Sequence, residues 1–409
     1  MKVRFFRSNS SEEPSDKLHE AVFEGATLRD VQRLVRRHPK LLHSTNHEGW
    51  LPLHYACHHN ASLETIKYLV QQNPTALSAP CSDLQFLPLH VACYAKAPVE
   101  VIKYLVHKNA EAARRPDAMQ SLPLHYACLG KATIPTVRCL VEHYPEALAH
   151  ANADGRYPIH LVGKDEHALN EAKPKRVLSL QSARRLVVLE RLSTGKVTLD
   201  VVRYLVEQMK REDYCAKDHE GRTVLHMTCL GEPILAVLKF WVELLGPPCL
   251  QHTDWSGHTP LHVACQSTST PKPVIDYLLK IYPEALQVED IEGRRPLHLA
   301  AERAITTALL ECLIRHGPSS LQHADHQGRL PLHTACANRA CLPVLDCLVG
   351  HYPAGLSVAD LDDKTPTVLA KEAKCDRMVL RFLYKQLSTP HSEEMEPSVE
   401  ESSQSLSDF

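Results

Sequence analysis

The sequence lacks the marks of a membrane or secreted protein. No stretch approaches the roughly 20 apolar residues that a membrane-spanning helix requires. The N-terminus, MKVRFFRSNSSEEPS, has early positive charge but no apolar run after it, so we do not expect a secretory signal. The formal net charge of the 409 residues is only −2, which gives no general reason to expect nucleic-acid binding.

The common signatures of catalysis are also missing. The sequence contains no GxSxG elbow, no GxxxxGK[ST] loop, no HExxH and no GxGxxG. We therefore expect no enzymatic activity and no cofactor. The 14 cysteines, in a chain without an export signal, favour free thiols in a reducing compartment, so we expect a cytoplasmic or nuclear protein, or one found in both.

What the sequence does contain is a repeat. A Pro-Leu-His motif or a close variant recurs with gaps of 36, 35, 35, 66, 36, 36 and 35 residues. The histidines of these motifs are His54, His90, His125, His160, His226, His262, His298 and His333. His19 lies 35 residues before the first and Val368 lies 35 after the last, so about ten units fill residues 16–387. The end units depart from the pattern and are predicted to cap the array.

Each unit predicts the same local structure. A turn such as DIEGRRP (290–296) precedes a short helix that begins at Pro, and a second amphipathic helix follows. Two short helices and a turn cannot bury their own apolar face, so neighbouring units must stack.

These units resemble the ankyrin-repeat family. DWSGHTPLHVAC (254–265) matches its hallmark, D-x-x-G-x-T-P-L-H-x-A, and VVRYLV (201–206) matches its second helix. The resemblance implies an all-α repeat solenoid of stacked helix-turn-helix units with short β-hairpin-like turns. It also implies a concave groove lined by turn tips and first helices, and a histidine that ties each turn to its neighbour's backbone.

The sequence departs from the family pattern in two places. Gln85, Gln120 and Asp363 replace the turn glycine, which predicts less regular turns there. The 66-residue gap predicts a basic insertion near 168–197, inside the repeat that begins at His160. Its KPKR (173–176) is a weak match to a nuclear-import signal, and its RRLVVLERL (184–192) is a candidate for either a docking helix or a helix packed on its own array.

The paired His and Cys of motifs such as LPLHYAC (51–57) suggest metal ligands at first sight. A structural zinc needs four ligands, and each unit offers two. Packed helices lie about 8–10 Å apart, so pairs in adjacent units are too distant to share one ion. Gly163 and Ala301 also occupy the Cys position, which indicates a requirement for a small residue. We therefore predict no metal site.

The residue after the turn glycine is the candidate for partner binding. In chain order this column reads Trp50, Phe86, Ser121, Arg156, Arg222, His258, Arg294, Arg329 and Lys364, and Trp255 lies on one of the turns. One interpretation is that the cations pair with nearby Asp residues. The other is a split groove, with aromatic anchors followed by a basic ladder for an acidic or phosphorylated segment, since Trp and Arg are enriched at binding hot spots.

The ends of the chain complete the organisation. Residues 1–15 are predicted to be a flexible segment and residues 388–409 a disordered, Ser-rich tail with six acidic and no basic residues. The tail either aids solubility or occupies the basic ladder itself. We expect a monomeric scaffold or adaptor that binds partner proteins in the concave groove. The alternative is a nuclear or nucleic-acid-associated regulator that uses the insertion and the ladder, although the mild charge disfavours it.

Overall fold

The computed structural model describes residues 17–388, apart from 47–48, 82–83, 131, 163–194, 231–232, 268 and 304–305. Within these residues the protein is helical and contains no β-strand. The predicted flexible N-terminal segment, the acidic tail after residue 388 and almost all of the predicted insertion lie outside the described residues.

The helices form a series of pairs in which a short first helix precedes a longer second helix. The first helices are α1 (Lys17–Phe23), α3 (Pro52–His58), α5 (Pro88–Tyr94), α7 (Pro123–Leu129), α11 (Val224–Cys229), α13 (Pro260–Gln266), α15 (Pro296–Glu302), α17 (Pro331–Ala337) and α19 (Pro366–Glu372). The second helices are α2 (Leu28–Arg37), α4 (Leu63–Gln72), α6 (Val99–Lys108), α8 (Ile134–His143), α9 (Gly195–Gln208), α12 (Leu235–Leu245), α14 (Lys272–Ile281), α16 (Thr307–His316), α18 (Leu342–His351) and α20 (Arg377–Ser388). A further one-turn helix, α10 (Arg211–Tyr214), follows α9.

The unit at His160 differs from the others. Its Pro-Ile-His-Leu segment forms a single 3₁₀ turn, Pro158–Leu161, where the other units have an α-helix. Its second helix, α9, begins at Gly195, two residues before the predicted end of the insertion.

Most second helices are followed by a 3₁₀ turn, which a proline starts in every case except Ala110–Ala113. These turns are Pro39–Leu42, Pro74–Ser78, Ala110–Ala113, Pro145–Ala149, Pro247–Gln251, Pro283–Gln287, Pro318–Leu321 and Pro353–Ser357. Proline suits the first position because its missing N–H would be unpaired there anyway. The YPEAL-like segments of the sequence form these 3₁₀ turns.

The core follows the amphipathic pattern of the second helices. In α14, Val274, Ile275, Leu278 and Leu279 are buried, and this i, i+1, i+4, i+5 spacing places them on one face. First helices contact first helices, and second helices contact second helices, from one pair to the next. Each pair therefore buries its apolar face against its neighbours, which is the stacking that the repeat pattern predicts.

The turns between pairs resemble small hairpins. In one of them the Asp290 N–H donates to the Arg294 carbonyl at 3.0 Å, and the Gly293 N–H donates to the Asp290 carbonyl at 3.0 Å. The Asp290 carboxylate also accepts from the backbone N–H groups of Glu292 and Arg294. Asp supplies these acceptors and Gly accepts the left-handed backbone, with φ of 75° at Gly293.

The expectation that turns without glycine are less regular is wrong for Gln120 and Asp363, whereas the turn of Gln85 closes over one more residue, with the Cys81 N–H donating to the Phe86 carbonyl at 2.9 Å. Gln85, Gln120 and Asp363 each adopt φ of 56°, in the same left-handed region as the glycines of the other turns. Gln120 and Asp363 also make the same backbone bond, to Asp117 and Asp360 at 3.1 and 3.0 Å. Stacking thus imposes the turn geometry on residues that disfavour it.

The motif histidines connect each pair to the next. The Nδ1 of His125 accepts from the Leu122 N–H at 3.0 Å, so its Nε2 carries the proton and donates to the Arg156 carbonyl at 3.1 Å. The same pair of bonds occurs at every motif histidine from His54 to His333, with Nε2-to-carbonyl distances of 2.9–3.3 Å. The histidines therefore act as clamps between units.

Candidate interaction surface

The structure places most of the predicted column inside the array. Trp50, Arg156, Arg222 and His258 are buried, and Arg156 is only 2% exposed. Phe86, Arg294, Arg329 and Lys364 are half-buried, and Ser121 is buried. The expectation that this column presents exposed aromatic and cationic side chains is wrong for its buried members.

The cations of the column are held in ion pairs that link successive turns. Each pairs with the Asp of its own turn, with that of the next turn, or with both. The contacts are Arg156 to Asp154 at 3.2 Å and Asp218 at 3.4 Å; Arg222 to Glu220 and to Asp254 at 3.7 Å; His258 to Asp254 at 3.5 Å and Asp290 at 3.3 Å; Arg294 to Asp290 at 2.9 Å; and Arg329 to Asp360 at 3.1 Å. Lys364 instead pairs with Glu372 at 2.8 Å. We call this row of turn carboxylates and cations the ion-pair ladder.

The ladder shifts the pKa values of its members. Burial alone would lower the pKa of His258, but its contacts with Asp254 and Asp290 outweigh burial and raise that pKa to about 9. Burial alone would raise the pKa of Asp290, but the ion-pair contact with His258 and hydrogen bonds from Arg294 bring it well below its usual value. His258 is therefore a cation at neutral pH, as the arginines at equivalent positions are.

The ladder changes what a charge reversal would do. The sequence suggests that Arg222, Arg294 and Arg329 could be changed to Glu without unfolding the array. Each new carboxylate would instead lie beside a buried turn Asp. Breaking a buried ion pair in this way costs about 3–5 kcal/mol before any repulsion is counted. The triple variant would therefore unfold the array and would not test partner binding.

The first units carry an aromatic cluster at the same place in the fold. The Trp50 ring meets Tyr55 edge-on with centroids 5.6 Å apart, and Phe86 meets Tyr126 at 5.1 Å. Tyr94 meets Tyr126 at 6.3 Å. We call Trp50, Tyr55, Phe86, Tyr94 and Tyr126 the aromatic wall. All except Trp50 are half-buried, so part of each ring remains open to a partner.

Trp255 is the predicted site residue that remains largely exposed. Trp255 directly follows Asp254 in its turn, at a position that lies outside the column. Ile291 and Leu361 occupy the same position in their own turns and are also exposed. Sequence reasoning missed these two residues, although aligning the turns on their Asp would have found them.

The cysteines of the Pro-Leu-His motifs fill interior space. Cys57, Cys93, Cys128, Cys229, Cys265 and Cys336 are buried, and so is Ala301, which occupies the same position. Burial raises the pKa of Cys57 and of Cys336 to about 12, so these thiols hold their protons at neutral pH. Within the described residues, no cluster of three or more His, Cys, Asp or Glu side chains could hold a metal ion.

The helices also bear on membrane insertion. Among the described residues, none of the helices combines the length and the apolar character needed to cross a bilayer.

Two comparisons with known proteins bear on the family. The family profile described as Ankyrin repeats (3 copies) matches residues 18–116. The chain is also 48% identical over 60 residues to the Target of rapamycin complex 2 subunit AVO2 of Saccharomyces cerevisiae, a stretch that is 14% of this chain and 14% of that protein. The profile match covers the first three helix pairs, α1 to α6, and the same clamps and turns continue in the pairs that follow. Residues 18–116 are therefore ankyrin repeats.

Proposed function

We propose that this chain is a non-catalytic scaffold or adaptor that holds partner proteins against the concave face formed by its first helices and turn tips. Ankyrin repeats in general are modules for protein–protein interaction without catalysis, and repeat solenoids use their concave faces in this way. The partial match to a subunit of a protein complex agrees with such a role.

The observation that carries the proposal is the aromatic wall. Tyr and Trp combine a large apolar surface with a polar edge, and they are enriched at the centres of protein interfaces. The wall spans three successive first helices, α3, α5 and α7, which contact one another in series. A partner segment lying across these helices would meet several aromatic rings at once.

The ion-pair ladder changes which partner we propose. An acidic or phosphorylated segment needs cations that are free to bind it, and the ladder cations are already paired with carboxylates. Nucleic-acid binding meets the same objection, because phosphate contacts supply most of its affinity. We therefore propose an apolar partner segment at the aromatic wall.

Affinity capture from a source extract tests the proposal. The intact chain would be compared with Phe86→Ala/Tyr94→Ala, and with Tyr277→Ala as a matched control. Tyr277 is a half-buried aromatic on the second helix α14, away from the wall. We expect the double variant to lose its captured proteins and the control to keep them, with circular dichroism showing all three folded. Equal capture by all three, or capture abolished by nuclease, would contradict the proposal.

A further inference from the structure

Three strongly exposed apolar side chains occupy the same position in their turns. Trp255 is 66% exposed, Ile291 65% and Leu361 77%, and each directly follows a turn Asp. His219 and His326 are exposed at the equivalent position of two other turns. We call His219, Trp255, Ile291, His326 and Leu361 the tip stripe. A single exposed apolar residue is ordinary, but a row of them at one structural position is not.

The tip stripe is held rigidly. The backbone N–H of Trp255 donates to the Glu220 carbonyl at 3.0 Å, and equivalent bonds of 2.9–3.1 Å hold Ile291, His326 and Leu361. The Trp255 ring also lies against the preceding turn, since a Cβ placed on Gly221 would come within 2.7 Å of it. A surface already ordered in this way loses little conformational entropy when a partner binds.

The charges beside the stripe favour a basic partner. Glu292 and Asp362 follow Ile291 and Leu361 directly, and their side chains are 61% and 68% exposed. Glu292 lies 3.1 Å from Arg294 and Asp362 lies 4.0 Å from Arg329, but pairs with so exposed a carboxylate are weak and leave it open to a second cation. Asp363 is exposed beside them. At the other end, Lys217 lies over the Trp255 ring at 5.1 Å from its centroid. Basic side chains on a partner would therefore meet carboxylates along the Ile291–Leu361 part of the stripe.

The spacing of the stripe favours a helical partner. Packed helices of successive units lie about 8–10 Å apart, so successive tip residues are separated by about the same distance. An α-helix advances about 10.5 Å in seven residues and returns nearly to the same face. An extended strand covers about 10 Å in three residues, but residues i and i+3 of a strand point to opposite faces. A helix can therefore meet consecutive turns with one face, and a strand cannot.

We infer that the tip stripe binds a basic amphipathic helix of a partner protein, with apolar residues every seven positions that meet Trp255, Ile291, His326 and Leu361 in turn. This inference rests on the proposed scaffold function and adds a second surface to it. The stripe lies on turns in the C-terminal half, whereas the aromatic wall lies on the first helices of the N-terminal half.

Designed peptides test the inference through tryptophan fluorescence. Trp50 and Trp241 are buried, so iodide quenching reports mainly on Trp255. The probe is a 25-residue Lys-rich helical peptide with Leu at positions i, i+7, i+14 and i+21. Its control has the same composition, with the four leucines spread around the helix. We expect the probe to protect Trp255 from quenching and to bind the full chain at least tenfold more tightly than the control does.

Two variants separate the stripe from general electrostatic attraction. Glu292→Lys/Asp362→Lys replaces two exposed carboxylates, removes their surface contacts with Arg294 and Arg329, and should weaken binding of the Lys-rich probe at least tenfold. Circular dichroism of the variant checks that the array stays folded. A Glu-rich probe with the same leucine spacing should bind that variant more tightly than it binds the unaltered chain. Phe23→Ala removes an exposed aromatic outside the stripe and should change the affinity of the chain for neither the Lys-rich nor the Glu-rich probe.

The inference fails if both peptides bind equally, or if neither protects Trp255 from quenching. It also fails if the Glu292→Lys/Asp362→Lys variant binds the Lys-rich probe as tightly as the unaltered chain does. Such a failure would leave the capture experiment on the aromatic wall unaffected. Loss of capture by Phe86→Ala/Tyr94→Ala alongside failure of the peptide test would support the scaffold and refute the helix site. Unchanged capture by Phe86→Ala/Tyr94→Ala together with success of the peptide test would place binding on the tip stripe alone.

Discussion

The histidine clamps should make the protein unusually sensitive to mild acid. Burial lowers the pKa to about 3 for His90 and His125, and to about 4 for His54, His160, His226, His262 and His298. In the unfolded chain each has a pKa of about 6.5. The unfolded state therefore binds protons first as the pH falls. The stability that these clamps contribute is fully present above about pH 6.5 and is lost as the pH approaches 4.

The magnitude follows from these pKa values. Between pH 7 and pH 5, a group with pKa 6.5 unfolded and about 4 folded reduces the free energy of unfolding by about 1.8 kcal/mol. Seven such groups together amount to roughly 13 kcal/mol, comparable to the total stability of many domains. His258 acts with the opposite sign, because its raised pKa makes it stabilising at acid pH, but its contribution changes by only about 0.8 kcal/mol over this range.

Proton uptake on unfolding is the direct assay, because long repeat arrays need not unfold in a single two-state step. At pH 5.5 each clamp should take up about 0.9 proton on unfolding, or about six for the seven. Calorimetry in buffers of different ionisation enthalpy measures the total uptake, to which His58, whose pKa burial also lowers to about 4, adds about 0.9 proton. His125→Gln, which removes one titrating ring, should lower it by about one. Uptake of fewer than two protons by the unaltered chain, or NMR signals of the clamp histidines that titrate near pH 6.5 in the native protein, would refute the reasoning.

Three further predictions concern the turns, the ladder and the thiols. Gln120→Gly should raise the free energy of unfolding by about 1 kcal/mol in denaturant titrations, because glycine adopts φ of 56° without strain, and an unchanged midpoint would contradict this. Asp290→Asn should destabilise the array by about 3–5 kcal/mol because it leaves His258 and Arg294 without their shared carboxylate, and a loss below 1 kcal/mol would show that the ladder is not structural. A thiol reagent should modify Cys215 and Cys341 rapidly in the native protein and the buried cysteines only after denaturation, with fast modification of most of the 14 as the contrary result.

The sequence predicts the stacking of the units well because one unit repeats its chemistry many times. The spacing of the motif histidines identified the helix pairs, and the resemblance supplied the role of His54 and its equivalents. The structure adds the distances and partners of these hydrogen bonds, and the stacking is the one that the repeat predicts. The count of ten units and their outer boundaries stay predictions, and the family match itself covers residues 18–116.

The candidate site was harder to predict because its contacts run between units. Within one unit, Arg294 looks like a surface cation that follows a turn. Its environment depends on Asp290 and on the neighbouring His258, and in other units the cation reaches the carboxylate of the following turn. The sequence left both interpretations of the column open, and only the stacked turns show that the ion pairs are internal.

The turn positions without glycine were misjudged for a related reason. Local preference argues against a left-handed Gln120, yet the turn is fixed by its neighbours, since the Ala118 N–H donates to the Leu84 carbonyl at 3.0 Å. A cost of about 1 kcal/mol at one residue is small beside the burial of a whole helix pair. Tertiary contacts override the preference, and no single repeat reveals this.

The clamps also determine where the chain can be shortened. A fragment that stops after α14, at Ile281, keeps His262 but removes the Arg294 carbonyl to which its Nε2 donates at 3.3 Å. Losing this hydrogen bond costs about 0.5–1.5 kcal/mol, and the cut also uncovers the apolar face that packed on the next pair, so it weakens the last unit that it retains. Truncations should therefore end after the following turn, near residue 295. For protein engineering, the smallest piece that can be grafted into another repeat array is one helix pair together with the turn of the next.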